Sequence, residues 1–278
     1  MKAVLVSGAS TGIGEACALH LDRLGHKVYA GVRKEQDAKR LRGESSDRLV
    51  PVMLDVTDAQ QIHEVAEQVR QEAGSLQGVV NNAGIAKGGP LEYLSLETWR
   101  QQLEVNVIGQ VAVTKAVLPL SRDGNGRVVF IGSIGGKVAT PMLGPYCASK
   151  FAVEAVAEAL RHELQPWRIS VSVVEPGAIK TAIWDKGRHE VERMQRDLPA
   201  EATERYAAHV EAVRKGIEMQ DRQGVSPYKV AKAVEHALFS SRPKTRYVVG
   251  VDAKAQSAMV RLLPDRPREA IIRRFAGP

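Results

Sequence analysis

Short apolar runs alternate with longer amphipathic stretches along most of this chain. Residues 2–7 (Lys-Ala-Val-Leu-Val-Ser) read as a buried strand, 12–24 as a helix and 27–32 as a second strand. Residues 49–54 read as a third strand, and Pro51 marks it as an edge strand or a strand start. A helical period puts Ile62, Val65, Ala66 and Val69 on one face of 58–73. A short strand at 78–81 precedes a long helix near 97–119. A strand at 127–132, a helix from the Tyr146 region to about Leu164 and a strand at 169–174 follow. Buried apolar strands spaced by helices predict parallel strands covered on both faces. Right-handed crossovers then wind them into an α/β, doubly wound parallel sheet of Rossmann-like type. With no second series, no repeat and no low-complexity linker, one domain over 1–250 is expected.

Residues 182–224 depart from this rhythm. They are charged, and their apolar residues (Ile183, Trp184, Met194, Leu198, Tyr206, Val210, Val213) are scattered. They read as one or two amphipathic helices inserted after the sixth strand, forming a helical lid. Ser226-Pro227 opens a further helix, with serine as N-cap and proline at the first helical position. Residues 246–250 read as a last strand, and 251–278 as a basic C-terminal tail.

Composition sharpens this in three places. With 278 residues and 44% hydrophobic content the chain can fill a sizeable core, and aromatics at 5% leave that work to aliphatic side chains. The net charge is +7, but nine Lys/Arg against three Asp/Glu lie between Arg242 and Pro278, which leaves the rest near neutral. That argues against a nucleic-acid partner, which needs a basic face with motif support. In the tail, Val260, Leu262, Leu263, Ile271, Ile272 and Phe275 alternate with arginines. Such a stretch can touch a membrane surface or recognise an anionic substrate such as an acyl-CoA. Pro264 and Pro267 interrupt it, and packing on its own or a partner subunit is favoured. No stretch approaches the ~20 consecutive apolar residues of a membrane span, and the start is too short for a secretory leader. Two cysteines, Cys17 and Cys147, give no disulfide framework, which fits a cytoplasmic protein.

Candidate chemistry lies at two ends. Gly8-Ala9-Ser10-Thr11-Gly12-Ile13-Gly14 links the first strand to the first helix. Gly8 permits a tight turn, Gly12 lets the backbone approach a pyrophosphate, and Gly14 allows close helix–strand packing. The free N–H groups and dipole of that helix end favour an anion. At the end of the second strand stands Arg33, where a ribose-binding carboxylate would favour NAD. A guanidinium there pairs with a 2′-phosphate, so NADP(H) is favoured over NAD(H). Asp55, with Val56 at the end of strand three, can accept from an adenine amino group or cap the helix starting near Asp58. Asn81-Asn82-Ala83-Gly84 after strand four offers small residues and backbone-tying amides.

The other end carries Tyr146 and Lys150. Residues four apart share a helix face, and a cation beside a phenol favours phenolate, which makes an acid/base usable near neutral pH. Ser133 ends a strand thirteen residues earlier. The spacing alone proves little, since Tyr228 and Lys232 repeat it on a helix with no such serine upstream. Glycine turn and phenol–lysine pair together suggest redox chemistry on an alcohol or carbonyl carbon. A hydrolase is not supported, because Gly132-Ser133-Ile134-Gly135 is not G-x-S-x-G. The seven histidines and two cysteines show no metal-ligand spacing.

As a set, Ser7-Gly8-Ala9-Ser10-Thr11-Gly12-Ile13-Gly14, Asn81 to Gly84, Asn106, Ser133, Tyr146 with Lys150, and Pro176-Gly177 resemble the classical short-chain dehydrogenases/reductases. Ser7 stands where that family usually has threonine. The resemblance implies that Tyr146 is the general acid/base and that Ser133 orients the substrate oxygen. It implies that Lys150 lowers the phenol pKa, together with the nicotinamide charge, and holds the ribose. Asn106, in a kinked helix, would hold a water that passes protons toward Lys150. Pro176, Gly177 and Ile179 to Thr181 would border the nicotinamide amide. Residues 175–184 and 243–250 resemble the retinol- and hydroxysteroid-dehydrogenase-like branch. That implies a small-molecule alcohol or carbonyl substrate of lipophilic character, with Trp184, Met194 and Leu198 either lining its pocket or pinning the lid. A homodimer or homotetramer is expected. The competing readings are a non-catalytic NADP(H)-sensing protein and, among enzymes, a 3-oxoacyl-thioester reductase.

Overall fold

A computed structural model of the chain describes residues 2–181 and 183–276. Met1, Ala182, Gly277 and Pro278, which end the ranges expected for the domain, the lid and the tail, lie outside the described residues, as do the side chains of Ile183 and Phe275. Seven parallel strands form one sheet in the order β3-β2-β1-β4-β5-β6-β7. They are β1 (Ala3–Val6), β2 (Lys27–Val32), β3 (Leu49–Met53), β4 (Gly78–Asn81), β5 (Arg127–Ile131), β6 (Ser170–Pro176) and β7 (Arg246–Val249). Pro51 pairs with Ala30 on β3, the sheet edge, where its missing N–H faces no further strand.

Helices cover both faces. α1 (Gly12–Arg23), α2 (Glu35–Glu44) and α10 (Pro227–Phe239) bury Leu21, Leu41 and Val234 on one face, among Val4, Val28 and Val129. α3 (Ala59–Ala73), α5 (Gly109–Asp123) and α6 (Gly144–Glu163) bury Val69, Val117 and Val153 on the other, among Leu5, Val79 and Phe130. Successive strand residues point to opposite faces, so a doubly covered strand must be apolar throughout, which is why the strands read as runs.

The long helix expected near 97–119 is α4 (Leu96–Leu103) and α5 joined through a π-helical turn at Glu104–Ile108. Among the described residues this run, Leu96–Asp123, is the one helix long and apolar enough to cross a membrane by length and composition. Its apolar residues Val113, Val117 and Leu120 are spent in the core.

The lid contains three helices where one or two were expected: α7 (Ile183–Asp197), α8 (Ala200–Arg205) and α9 (Ala207–Gln223). Val191 and Val210 bury against Met142, with Met194, Tyr206, Val213 and Ile217 around them. After β7 come α11 (Val251–Leu262) and α12 (Asp265–Ala276). Pro264 separates the two, and Pro267 sits in the first turn of α12, where a missing N–H is tolerated. α12 lies against α9, and α11 lies against β7 and the turn Ile134–Gly136.

Candidate active site

In open parallel sheets, ligands bind beyond the carboxyl ends of the strands where the winding reverses. Here the order reverses between β1 and β4. The glycine turn after β1 and the Asn81–Gly84 segment after β4 both lie there. Gly8 and Gly12 each adopt φ +65°, which L side chains rarely reach. A Cβ on Gly8 would stand 2.8 Å from Ala83 Cα, so this glycine also lets the two loops touch. At Gly14 a Cβ would stand 2.2 Å from the Gly8 carbonyl oxygen and 2.4 Å from Asn82 Nδ2. Gly14 therefore serves contact with the turn and the β4 loop, a different partner from the strand packing expected for it. Thr11 is the N-cap of α1 in extended conformation and makes no side-chain cap bond.

The Ser7 hydroxyl accepts the N–H groups of Asn82 (3.0 Å) and Ala83 (3.1 Å). Asn82 Nδ2 donates to the carbonyls of Ser7 (3.1 Å) and Gly8 (2.9 Å). The asparagine side chain thus ties neighbouring backbones, as its amide chemistry suggested. Sequence reasoning noted Ser7 only as a change from threonine, yet its hydroxyl organises the crossing. Arg40 was missed altogether: it donates to the Ser10 carbonyl at 2.6 Å and pairs with Glu15 and Glu44.

Arg33 directly follows β2 with 66% of its side chain exposed, 3.8 Å from Asp55 beyond β3. Asp55 does not cap the next helix. It accepts the N–H and hydroxyl of Thr57, while Asp58 caps α3 by accepting from Gln60 and Gln61. Burial raises the Asp55 pKa, but the two Thr57 bonds and the Arg33 charge outweigh it and hold the carboxyl below its ordinary range. Val56 is buried, its carbonyl pressed against Gly109 at the start of α5.

A Cβ on Gly135 would stand 3.2 Å from Tyr146 Cε1 and 3.3 Å from Ser133 Oγ, so the phenol ring neighbours Ser133, which follows β5 by two residues. Ser133 Oγ accepts the Gly135 N–H at 3.0 Å, which fixes the serine side chain. Lys150 lies one turn after Tyr146 on α6, its Nζ 5.8 Å from the phenol ring centroid and donating to the Ile131 carbonyl at 2.8 Å. Burial pushes the Lys150 ammonium down to about 8. Burial raises the Tyr146 phenol, with Ser133 pulling the other way. The expected lowering of the phenol by Lys150 is therefore not what the protein alone produces. Lys150 is buried and Tyr146 half-buried, and the lost hydration makes each resist its charged form.

Asn106 occupies the π-helical turn and is buried. Its Nδ2 donates to the Ile85 carbonyl (3.0 Å) and Ser149 Oγ (3.0 Å), and its Oδ1 accepts the Ile85 N–H (2.8 Å). The side chain fixes the loop after β4, a task not foreseen for it. Gln102, one turn earlier, does the same for Ile85 and Lys87. Two buried amides at four-residue spacing in an apolar helix were the available signal.

Pro176 ends β6, and the strap 177–181 runs from there toward the glycine turn. Ala178 and Lys180 exchange backbone hydrogen bonds with Val225 (2.9 and 3.0 Å), and a Cβ on Gly12 would meet the Thr181 side chain at 3.1 Å. Trp184 Nε1 donates to the Ile179 carbonyl at 2.7 Å, and Met194 packs in the cluster around Met142. Both contacts pin the lid. Met142 itself has φ 68°, a conformation rare for a long side chain, and its carbonyl accepts the Gly89 N–H at 2.7 Å. One turn beyond Lys150, Glu154 shares a buried site with Glu175 of β6. Lys137 approaches these carboxylates at 3.3 and 3.6 Å, and Arg246 at 2.9 and 3.5 Å. Burial, and then the neighbouring Glu154 charge, push Glu175 up to about 7 against the pull of Lys137.

Residues 2–192 match the model of the short chain dehydrogenase family. The chain is 37% identical over 284 residues to 17-beta-hydroxysteroid dehydrogenase type 6 of Bos taurus, covering 98% of this chain and 88% of that one. It is 36% identical over 259 residues to retinol dehydrogenase 7 of Mus musculus (91% and 82% covered). It is 34% identical over 278 residues to an NADPH-dependent 3-dehydrocapnine reductase of Ornithobacterium rhinotracheale (98% and 96% covered). A short chain dehydrogenase/reductase of Burkholderia phymatum, solved in complex with NAD, superposes with a TM-score of 0.79 at 25% identity, over 100% of this chain and 96% of that one.

Proposed function

This chain belongs to the short-chain dehydrogenase/reductase family and is an oxidoreductase acting on CH–OH or carbonyl groups with NAD(P), and from that premise we propose how its residues divide the work. Tyr146 moves the proton, Ser133 orients the substrate oxygen, and Lys150 holds both the phenol and the nicotinamide ribose. The observation that carries this reading is the meeting of Ser133 Oγ and the Tyr146 ring beside Gly135, with Lys150 against the same ring.

The residues fit a dinucleotide. Side chains at Gly8, Gly12 or Gly14 would obstruct the crossing, and the first N–H groups of α1 suit a pyrophosphate. The strap 176–181 would border the nicotinamide, and Arg33 with Asp55 would face the adenosine end. When bound, the nicotinamide supplies or receives the hydride. In reduction, Tyr146 starts protonated, because burial raises its pKa, and gives that proton to the oxygen that gains charge. The Lys150 ammonium, lowered to about 8, is the adjacent acid that stabilises the resulting phenolate. In oxidation the phenolate takes the proton back.

Arg33 supports NADP(H) over NAD(H), because its exposed guanidinium can fork onto a 2′-phosphate. The apolar cluster of Met142, Val191 and Val210 beside the site supports a lipophilic substrate, and relatives named for hydroxysteroids and retinol act on such molecules. The test is oxidation of NADPH and NADH followed by absorbance across steroid, retinoid and short aliphatic carbonyls. Preference for NADPH with steroid or retinoid carbonyls is expected. Strong NADH preference would overturn the Arg33 argument, and preference for short aliphatic carbonyls the lipophilic one.

A further inference from the structure

We propose that Asp252, in the first turn of α11, is a positioning residue for the nicotinamide end of the cofactor, acting by clamping the Gly177–Ala178 backbone. The inference rests on the reading that residues 176–181 border the nicotinamide. Asp252 Oδ2 accepts the Ala178 N–H at 2.7 Å, a bond between residues 74 apart in the chain. On either side of Ala178, the Gly177 and Lys180 N–H groups donate to the backbone carbonyls of Val249 and Val225. The Ala178 N–H is held by a side chain, as the Ile179 carbonyl beyond it is held by Trp184.

Two glycines make room for that carboxylate. A Cβ on Gly177 would stand 2.2 Å from Asp252 Oδ2, and a Cβ on Gly250 would stand 2.5 Å from Oδ1. Gly250 has φ +113°, which turns the chain from β7 into α11 and brings Asp252 back over the strap. Gly177 is thus explained by the Asp252 carboxylate and needs no ligand to account for it. The carboxylate also sits at a helix N-terminus, where negative charge is favoured. α11 lies in addition against Ile134–Gly136, the turn that follows Ser133. One helix therefore touches both banks of the place where nicotinamide and substrate would meet: the serine turn and the strap. The segment that reads in sequence as a basic tail contributes an acidic residue to the site.

The test compares two ligands on the full chain. NADP+ carries the nicotinamide; 2′-phosphoadenosine diphosphoribose lacks it and engages only the adenosine, pyrophosphate and ribose portions. Dissociation constants are measured by calorimetry for wild type, Asp252→Val, Asp252→Asn and Gly177→Ala. Loss of a hydrogen bond to a charged acceptor predicts weakening of NADP+ by about tenfold or more in Asp252→Val. The fragment should change less than about twofold. Asp252→Asn keeps an acceptor oxygen in the same shape and should stay within about threefold of wild type for both. Gly177→Ala pushes on the clamp from the strap side and should reproduce the selective loss, which keeps the idea testable should the valine variant not fold. Equal weakening of both ligands, or NADP+ affinity unchanged in Asp252→Val, overturns the clamp. Wild-type protein that binds NADP+ but turns over no carbonyl would overturn the proposed function, while the clamp would still be read from the two dissociation constants.

Discussion

Two tyrosine–lysine pairs at identical spacing sit on opposite faces of one sheet. Tyr146 and Lys150 lie on α6, against the core that contains Val153 and Ala157. Tyr228 and Lys232 lie on α10, against the core that contains Val230 and Val234. The cation–ring distance does not tell them apart: Lys232 Nζ is 5.0 Å from its ring centroid and Lys150 Nζ is 5.8 Å from its own. The surroundings do. Tyr146 stands beside Ser133, and Lys150 is 5% exposed with its ammonium on a strand-end carbonyl. Tyr228 is 41% exposed and packs edge-on against His20, and Lys232 is exposed. Tyr228 also edges an open groove of about 670 Å³ between α1 and α10 that includes Glu15, Arg23 and Lys180. Helical spacing brings a phenol and an ammonium together; burial and a fixed serine make the contact useful for moving a proton.

The largest expected separation between the pairs comes from the phenols. Tyr146→Phe should lower turnover by about 10²–10⁴-fold, the usual range for a general acid/base, while Tyr228→Phe stays within about twofold in the same steady-state assay. Removing the lysines sharpens the contrast. Lys150→Met should lower turnover and raise the cofactor KM by about tenfold or more, since it removes a charged donor from phenol and ribose, whereas Lys232→Met changes neither. A smaller effect is expected at the nucleotide edge, where solvent screens the charge. Arg33→Ala should shift the ratio of NADPH to NADH efficiency toward NADH by about tenfold, read from kcat/KM for each cofactor.

The smallest effect concerns the carboxylate pair behind Lys150, for which α10 has no counterpart next to Lys232 among the buried charged residues described. Glu175 is raised from an ordinary carboxyl value to about 7 in the folded protein. Between those two values the folded state holds more protons than the unfolded state, so this stabilising contribution is present at low pH and is lost as pH rises through about 7. Glu175→Gln removes the titration. Its melting temperature should fall less than that of wild type between pH 5 and pH 8, by a few degrees, as followed by circular dichroism.

Much of this site was legible because its parts are local in sequence. The glycine turn is seven residues long, the Asn81–Gly84 segment is four, and apolar runs announce strands covered on both faces. What was not legible is tertiary. The seating of the lid depends on Val191 and Val210 meeting Met142. Gly177 reads as a cofactor glycine until Asp252 is seen against it. The Tyr146 phenol is raised where a lowering was expected, because burial is the largest influence on it. The carboxylate pair was half visible: Tyr146, Lys150 and Glu154 fall at four-residue steps on one helix face, but Glu175 comes from a strand.

The central claim is that Ser133 and Tyr146 act as one unit, and a double-mutant cycle on Ser133→Ala and Tyr146→Phe measures it. Single-turnover reduction under saturating NADPH gives the rate for wild type, each single variant and the double variant. Residues acting as a unit are strongly non-additive, so the double variant should be no more than about threefold slower than Tyr146→Phe alone. If the two losses multiply, serine and tyrosine act independently, and the account given for this site is contradicted.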